Sequence, residues 1–250
     1  MNNKLPKWKF MMCLTTFLCG GAAFAGNPPV SLVDQGDAAY AKREDPVQAK
    51  IALHYYELAL TANPGDVQAA WKASRAAYWV GDVADSRADK LQFFQRGIDL
   101  AQEGIAKNPD SVESHYWLGC NQGSYGDARG VLKSLFLVNP IRREMAEVNR
   151  LNDRYDGGGG YRVLGVVDYK VPGFAGGGKK RALEELNKSL AIDPKNPYTH
   201  YYLAEFFKET GEKDKARAEI AALQALEVNP ELVPDLHLEQ ARGKKLIEDL

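Results

Sequence analysis

Small and apolar residues recur along this chain at steps of four and three, and a proline then ends each run. Ala52-Tyr56-Ala59-Pro64 sets the pattern, and Gly97-Ala101-Gly104-Pro109, Ala128-Leu132-Leu135-Pro140, Ala182-Leu186-Ser189-Pro194 and Ala218-Ala222-Ala225-Pro230 repeat it at identical spacing. Steps of four and three keep residues on one face of a helix. Small residues on that face let a neighbouring helix approach closely, and a proline cannot continue the hydrogen-bond ladder. Each proline follows Asn or Asp, residues suited to a helix-ending turn. Five closing helices are therefore predicted.

Partner helices are predicted over 68–79, 112–122, 161–169 and 198–210, each carrying an apolar or alanine residue followed by a small one at Ala73-Ser74, Leu118-Gly119, Leu164-Gly165 and Leu203-Ala204. Two nearly repeat in sequence: Ser114-His115-Tyr116-Trp117-Leu118-Gly119 against Thr199-His200-Tyr201-Tyr202-Leu203-Ala204. A unit of two antiparallel helices closed by a proline resembles the tetratricopeptide repeat, about 34 residues long. The proline intervals here are 45, 31, 54 and 36, so the units are degenerate. The longest interval holds a charged helix at 141–153 and a glycine-rich insertion at about 154–180. A last helix, Asp235 to Leu250, is expected to cap the array. The expected fold is all-α: four to five degenerate helix pairs in a right-handed superhelix, about 12 helices with no strand, forming a single domain over 26–250.

The first 25 residues stand apart. Lys4, Lys7 and Lys9 precede a short apolar run from Phe10 to Cys19 and an Ala23-Phe24-Ala25 cleavage site, the layout of a secretory signal peptide. The run is too short to anchor in a bilayer. Thr16-Phe17-Leu18 before Cys19 is the wrong order for a lipoprotein signal, so cleavage after Ala25, a periplasmic location and no lipid anchor are expected. Losing three lysines moves the formal charge from −1 to near −4, and no basic balance points to nucleic acid. Cys13 and Cys19 leave with the signal, so Cys120 has no disulfide partner. No other segment is apolar enough to cross a membrane.

Candidate chemistry is sparse. Gly173, four residues, then Gly178 and Lys179 mimic a phosphate loop, but Lys180 stands where Ser or Thr would hold magnesium, and the flanking pattern is helical. The stretch reads instead as a helix-connecting loop, and its glycines leave it free to order around a partner. His54, His115, His200 and His237 lack zinc-ligand spacing and read as helix-packing residues. Nothing activates Cys120 as a nucleophile. No catalytic residue, metal or cofactor is expected.

The aromatic residues say more. Three places before the small residue of each first helix, an inward column reads Trp71, Tyr116, Arg162, Tyr201, with Tyr78, Trp79 and Tyr169 expected near the same wall. Aromatic and arginine side chains are the types that anchor interfaces. Two readings stand: a concave binding wall for a partner or a small organic ligand, or core filling between helices. Arg162 suits a carboxylate on a partner or ligand, or an acidic neighbour within the fold.

Ser114 to Gly119, Gly157-Gly158-Gly159-Gly160-Tyr161-Arg162-Val163-Leu164-Gly165, Pro172, Gly176-Gly177-Gly178 and Ala182, with Gly36-Asp37-Ala38-Ala39-Tyr40 and Ala52 to Pro64 before them, are similar to the T-component proteins associated with TRAP transporters. The likeness spans roughly residues 31–230. It implies a non-catalytic exported helical protein that works beside a periplasmic solute-binding protein, which delivers an organic ligand to a permease. The residues alone support a general tetratricopeptide scaffold for protein–protein interaction in the envelope, and leave homo-oligomer formation open.

Overall fold

Helix propagation in this chain is set by a short turn that occurs three times. Asn63-Pro64-Gly65-Asp66, Asn108-Pro109-Asp110-Ser111 and Asp193-Pro194-Lys195-Asn196 each end one helix and start the next. The first side chain accepts from the amide two residues on (Asn63 from Gly65 at 3.2 Å, Asn108 from Asp110 at 3.1 Å, Asp193 from Lys195 at 3.0 Å). The fourth residue caps the following helix: Asp66 accepts from Ala69 N, Ser111 from Ser114 N and Asn196 from Thr199 N. Proline stops the first helix, and the cap satisfies an orphan amide of the second.

The computed structural model describes residues 30–249. The expected signal peptide lies outside them. Ser31–Leu250 forms one compact unit, built from α1 (Leu32–Tyr40), α2 (Pro46–Ala62), α3 (Val67–Asp82), α4 (Arg87–Lys107), α5 (Val112–Arg129), α6 (Val138–Asn152), α7 (Gly159–Lys170), α8 (Lys179–Ile192), α9 (Pro197–Glu209), α10 (Lys213–Gln224) and α11 (Val233–Glu248). Short 3-10 turns lie at Val131–Leu137, Gly173–Ala175 and Pro230–Leu232, and no strand occurs among the described residues. Successive helices pack as hairpins, α1 with α2 through α9 with α10, while α3, α5, α7 and α9 also touch in sequence. The odd-numbered helices thus form one layer and the even-numbered ones the other. The fold is the expected all-α helical-repeat superhelix, with five hairpins and a terminal helix.

The small-residue face does what its spacing implies. A Cβ placed on Gly97 would lie 2.2 Å from Asn121 Oδ1, so α4 meets α5 only because that side chain is missing. Ala52, Ala101, Ala182, Leu186 and Ser189 are fully buried in the same role.

One predicted helix does not form. Ala128 and Arg129 end α5, Gly130 turns the chain at φ +104, and 131–137 is a 3-10 connection. Pro140 lies in the first turn of α6, where its missing N–H is no loss. The closing helix of the third hairpin is therefore α6, which the sequence pattern reads as an extra charged helix within the longest proline interval. Ala225 caps α10, and Pro230 opens a 3-10 turn five residues later.

The last helix does more than cap. Leu236 and Leu246 pack with Ala204, Ile220 and Leu223 of α9 and α10, while Leu238 packs against the α1–α3 core. Arg43 forms a buried ion pair with Asp235 and donates to Glu231 O at 2.7 Å. Arg242 pairs with Asp82 at 2.8 Å, and His237 with Glu44 at 2.6 Å. These contacts tie the first hairpin and α3 to α11.

Candidate functional site

The inner wall borders a half-open cavity of about 720 Å³. Trp71, Tyr78, Tyr116 and Arg162 line it, as do Tyr40, Trp117, Tyr155, Tyr198 and Tyr202, which the sequence column did not include. Trp79, Tyr169 and Tyr201 are elsewhere. Trp79 is core, its Nε1 donating to Arg43 O at 2.8 Å. Tyr169 packs edge-on to Phe206 and donates to Glu205. Tyr201 is drawn into the cluster under α11, which brings Tyr198 and Tyr202, one helical turn apart, to the cavity instead.

Four of the rings form a continuous aromatic wall. Tyr116 meets Trp117 at 5.1 Å and Tyr155 at 5.2 Å, and Trp117 meets Tyr78 at 5.5 Å. Burial raises the Tyr78, Tyr116, Tyr198 and Tyr202 pKa values well above 10, so all four are neutral hydrogen-bonding groups at ordinary pH.

Arg162 is fully buried and internally engaged. It donates to Tyr116 Oη at 2.8 Å, to Asp156 O at 3.0 Å and to the Asp156 carboxylate. Tyr116 in turn donates to Asp156 at 2.6 Å. Burial opposes the charge of Arg162, but Tyr116 and Asp156 outweigh it and raise its pKa. The acidic neighbour within the fold is thus a partner of Arg162. Asp156 adopts φ +50 to reach this position, beside Gly157 and Gly158 in the left-handed region, which accounts for part of the glycine run.

Arg43 and Arg75 were not singled out by the sequence. The Tyr40 ring lies between them, with guanidinium carbons 4.5 and 4.0 Å from its centroid. Arg43 is neutralised by Asp235. Arg75 also sits 5.1 Å from the Trp71 ring and forms no ion pair among the described residues; its Nε is buried without a hydrogen-bond partner. The sequence signal was there: Arg75 is one helical turn after Trp71.

A smaller apolar cavity of about 140 Å³, lined by Val131, Leu137, Ile141 and Val167 among others, adjoins the large one through Tyr78, Cys120, Val163 and Tyr202. Burial pushes the Cys120 thiol up to about 12, so it is not a nucleophile near neutral pH. Among the described residues no cluster of three His, Cys, Asp or Glu side chains could hold a metal. No described helix is long and apolar enough to cross a membrane.

The glycine loop is tied down rather than free. Gly176, Gly177 and Gly178 amides donate to Gly173 O, Pro172 O and Asp168 O at 3.0, 3.1 and 2.7 Å, leaving none of the three for a phosphate. Buried Asp168 pairs with both Arg142 and Arg181, which also donate to Gly176 O at 2.7 and 2.6 Å. The loop does not have the freedom that its glycines imply.

Residues 32–154 match the family described as Regulator of microtubule dynamics protein 1-3, and residues 180–233 match a tetratricopeptide repeat. A crystal structure of a thermophilic tetratricopeptide-repeat protein from Thermus thermophilus is similar, at 22% identity and a TM-score of 0.63, over 86% of this chain and 97% of that one. Structures of MamA are more distant. One shares 17% identity at a TM-score of 0.45 over 84% of this chain and 96% of the other. Another, from Desulfovibrio magneticus RS-1, shares 13% at 0.45 over 84% and 97%. No curated protein matches in sequence. The chain carries tetratricopeptide-like repeats and the corresponding fold.

Proposed function

We propose that this chain is a non-catalytic scaffold of tetratricopeptide type that acts by binding a partner protein in the cell envelope. Repeat proteins of this kind work through their surfaces. One observation supports a particular surface: Leu132, Phe136 and Phe174 are 68, 60 and 83% exposed, and all three lie on inserted connections rather than on repeat helices. Both connections pack onto the same core through Val131, Leu135, Leu137 and Ala175. Exposed aromatic side chains gathered on inserted segments suit interface anchors. The test is a Phe136→Ser/Phe174→Ser variant, cross-linked and recovered from envelope extract beside the wild type. The expected result is unchanged helicity and melting temperature with loss of the specific partner. Recovery of the same partner in equal yield overturns the assignment of this surface.

A second reading is favoured by the ligand-sized cavity. Here the scaffold is an accessory of TRAP-type uptake, paired with a periplasmic solute-binding protein, as the sequence resemblance implies. Co-purification of a solute-binding protein supports it; recovery of only other envelope proteins favours the general scaffold. The description of the family matched by 32–154 adds a cytoskeletal partner to those the experiment discriminates. Export rests on the lysine-led apolar run and Ala23-Phe24-Ala25, and amino-terminal sequencing of the cell-derived protein is expected to begin at Gly26.

A further inference from the structure

We propose that the 720 Å³ interior cavity binds a small organic monocarboxylate with a planar, unsaturated body, its carboxylate held by Arg75. The inference is independent of which protein the scaffold engages.

The charge around the cavity comes from four regions. From the first hairpin, Asp37 is paired with Lys72 at 2.5 Å and Arg43 with Asp235. From α7 and the turn before it, Arg162 is paired with Asp156. Glu231, at the rim, is exposed to solvent. From α3, Arg75 has no carboxylate partner among the described residues. The paired groups cancel, which leaves Arg75 as the unpaired cation of the inner wall and Glu231 as an unpaired anion at its solvent-exposed rim. A guanidinium taken out of water without an opposite charge is costly, and a bound anion is the direct remedy.

The position of Arg75 is built. The Tyr40 and Trp71 rings hold the guanidinium at 4.0 and 5.1 Å, and cation–π contact fixes its plane without using its in-plane donors. Tyr56 and Tyr155 are the further polar groups near it, and the Tyr56 hydroxyl already donates to Asp37 at 2.7 Å. A carboxylate is the planar, bidentate acceptor that a guanidinium fork fits.

The rest of the wall specifies the body. The Tyr78, Trp117, Tyr116 and Tyr155 rings run along it, Tyr78 tilted against Trp117 and the others edge to face, offering flat apolar surface with polar tips. The volume lies within the usual range of small-molecule sites. A single unpaired guanidinium beside an aromatic wall suits a planar monocarboxylate.

The probes are cinnamate and indole-3-acetate, with their amides as neutral matches and octanoate as an aliphatic acid. Each is titrated into the purified full chain by calorimetry and tryptophan fluorescence. At least one planar acid is expected to bind saturably, with its amide about tenfold or more weaker, and Arg75→Gln is expected to weaken the acid by about tenfold or more while leaving the amide unchanged; tenfold is about 1.4 kcal/mol. Arg75→Lys, which keeps the charge but loses the fork, should fall between and serves if the Gln variant does not fold. The proposal is overturned by no saturable binding of any planar acid at millimolar concentration, by amides that bind as tightly as acids, by octanoate binding more tightly than either planar acid, or by folded Arg75 variants of unaltered affinity.

Discussion

Arg43 and Asp235 are 192 residues apart and form a buried ion pair that fastens α11 to the first hairpin. Tyr198 adds a second hydrogen bond to the same carboxylate at 2.5 Å. Removing one partner leaves the other charge buried and uncompensated. Asp235→Ala is expected to lower stability by about 3 kcal/mol, whereas the Arg43→Met/Asp235→Leu double variant should recover much of that loss. Urea midpoints of the two variants check both statements.

Glu239 of α11 is completely buried, donated to by Arg242 at 2.7 Å, with one carboxylate oxygen lacking a partner. Burial, against the opposing pull of Arg242 and with help from Asp82, pushes its pKa up to about 8. The folded state therefore holds a proton that the unfolded chain has released above about pH 4.3. Stability should fall as pH rises from about 5 to about 8, on the order of 1–3 kcal/mol. Glu239→Gln is expected to flatten that slope, leaving only the part that His200 contributes, and to raise the melting temperature at pH 8; a slope unchanged in the variant refutes the assignment.

His115 and His200 occupy equivalent places in two hairpins. Each ring bonds a carboxylate on the following helix (Glu144 at 2.7 Å, Glu219 at 2.8 Å) and the carbonyl of the turn proline (Pro109 at 2.8 Å, Pro194 at 2.9 Å). For His200, burial works against the charge, but Glu219 and the Pro194 carbonyl outweigh it and raise the pKa. The stabilisation is full below about pH 6.5 and is lost as pH rises through the folded value. His200→Gln should cost about 1 kcal/mol at pH 6 and less at pH 9, read from denaturation curves at the two pH values.

Within the glycine loop, a Cβ on Gly177 would fall 1.7 Å from Val171 O, whereas one on Gly173 would meet nothing within 4 Å. Gly177→Ala is expected to destabilise by more than about 2 kcal/mol and Gly173→Ala by less than about 0.5 kcal/mol. Comparable melting temperatures for the two variants would show that the loop is not fixed as described.

Cys120 borders both cavities, with a thiol pushed up to about 12 by burial. Alkylation by iodoacetamide at pH 8 should be slow in the folded chain and rapid in urea. Mass spectrometry over time distinguishes this from a reactive thiol.

The helices were legible because their spacing and turns are local. Ala52, Ala101, Ala182 and Leu186 mark buried faces by steps of four and three, and the Asn-Pro and Asp-Pro turns are complete within four residues. Pro140 was misread for an equally local reason: a proline ending one helix and a proline in the first turn of the next look alike without the intervening Gly130 geometry. The cavity was only half legible. Trp71, Tyr116 and Arg162 follow from repeat register, but Tyr201 gives way to Tyr198 and Tyr202 because α11 packs over α9, a contact that no spacing encodes. The partner of Arg162 depends on Asp156 taking a left-handed turn. Arg75 lay one turn from a residue already chosen, and what sets it apart, the lack of a counter-ion, becomes visible only when all its neighbours are in place.

Helix α11 also fixes when the cavity can exist. Each hairpin needs only its neighbours, so the stack can grow as the chain emerges from the ribosome. Helix α11 and the 3-10 turn before it supply Pro230, Glu231, Leu232 and Asp235 to the cavity lining, and they follow all five hairpins in the chain. A ligand enclosed there would have to be taken up after synthesis of that helix, or be folded around as it docks. Loss of α11 and the turn before it would leave the five hairpins and remove those four residues from the lining.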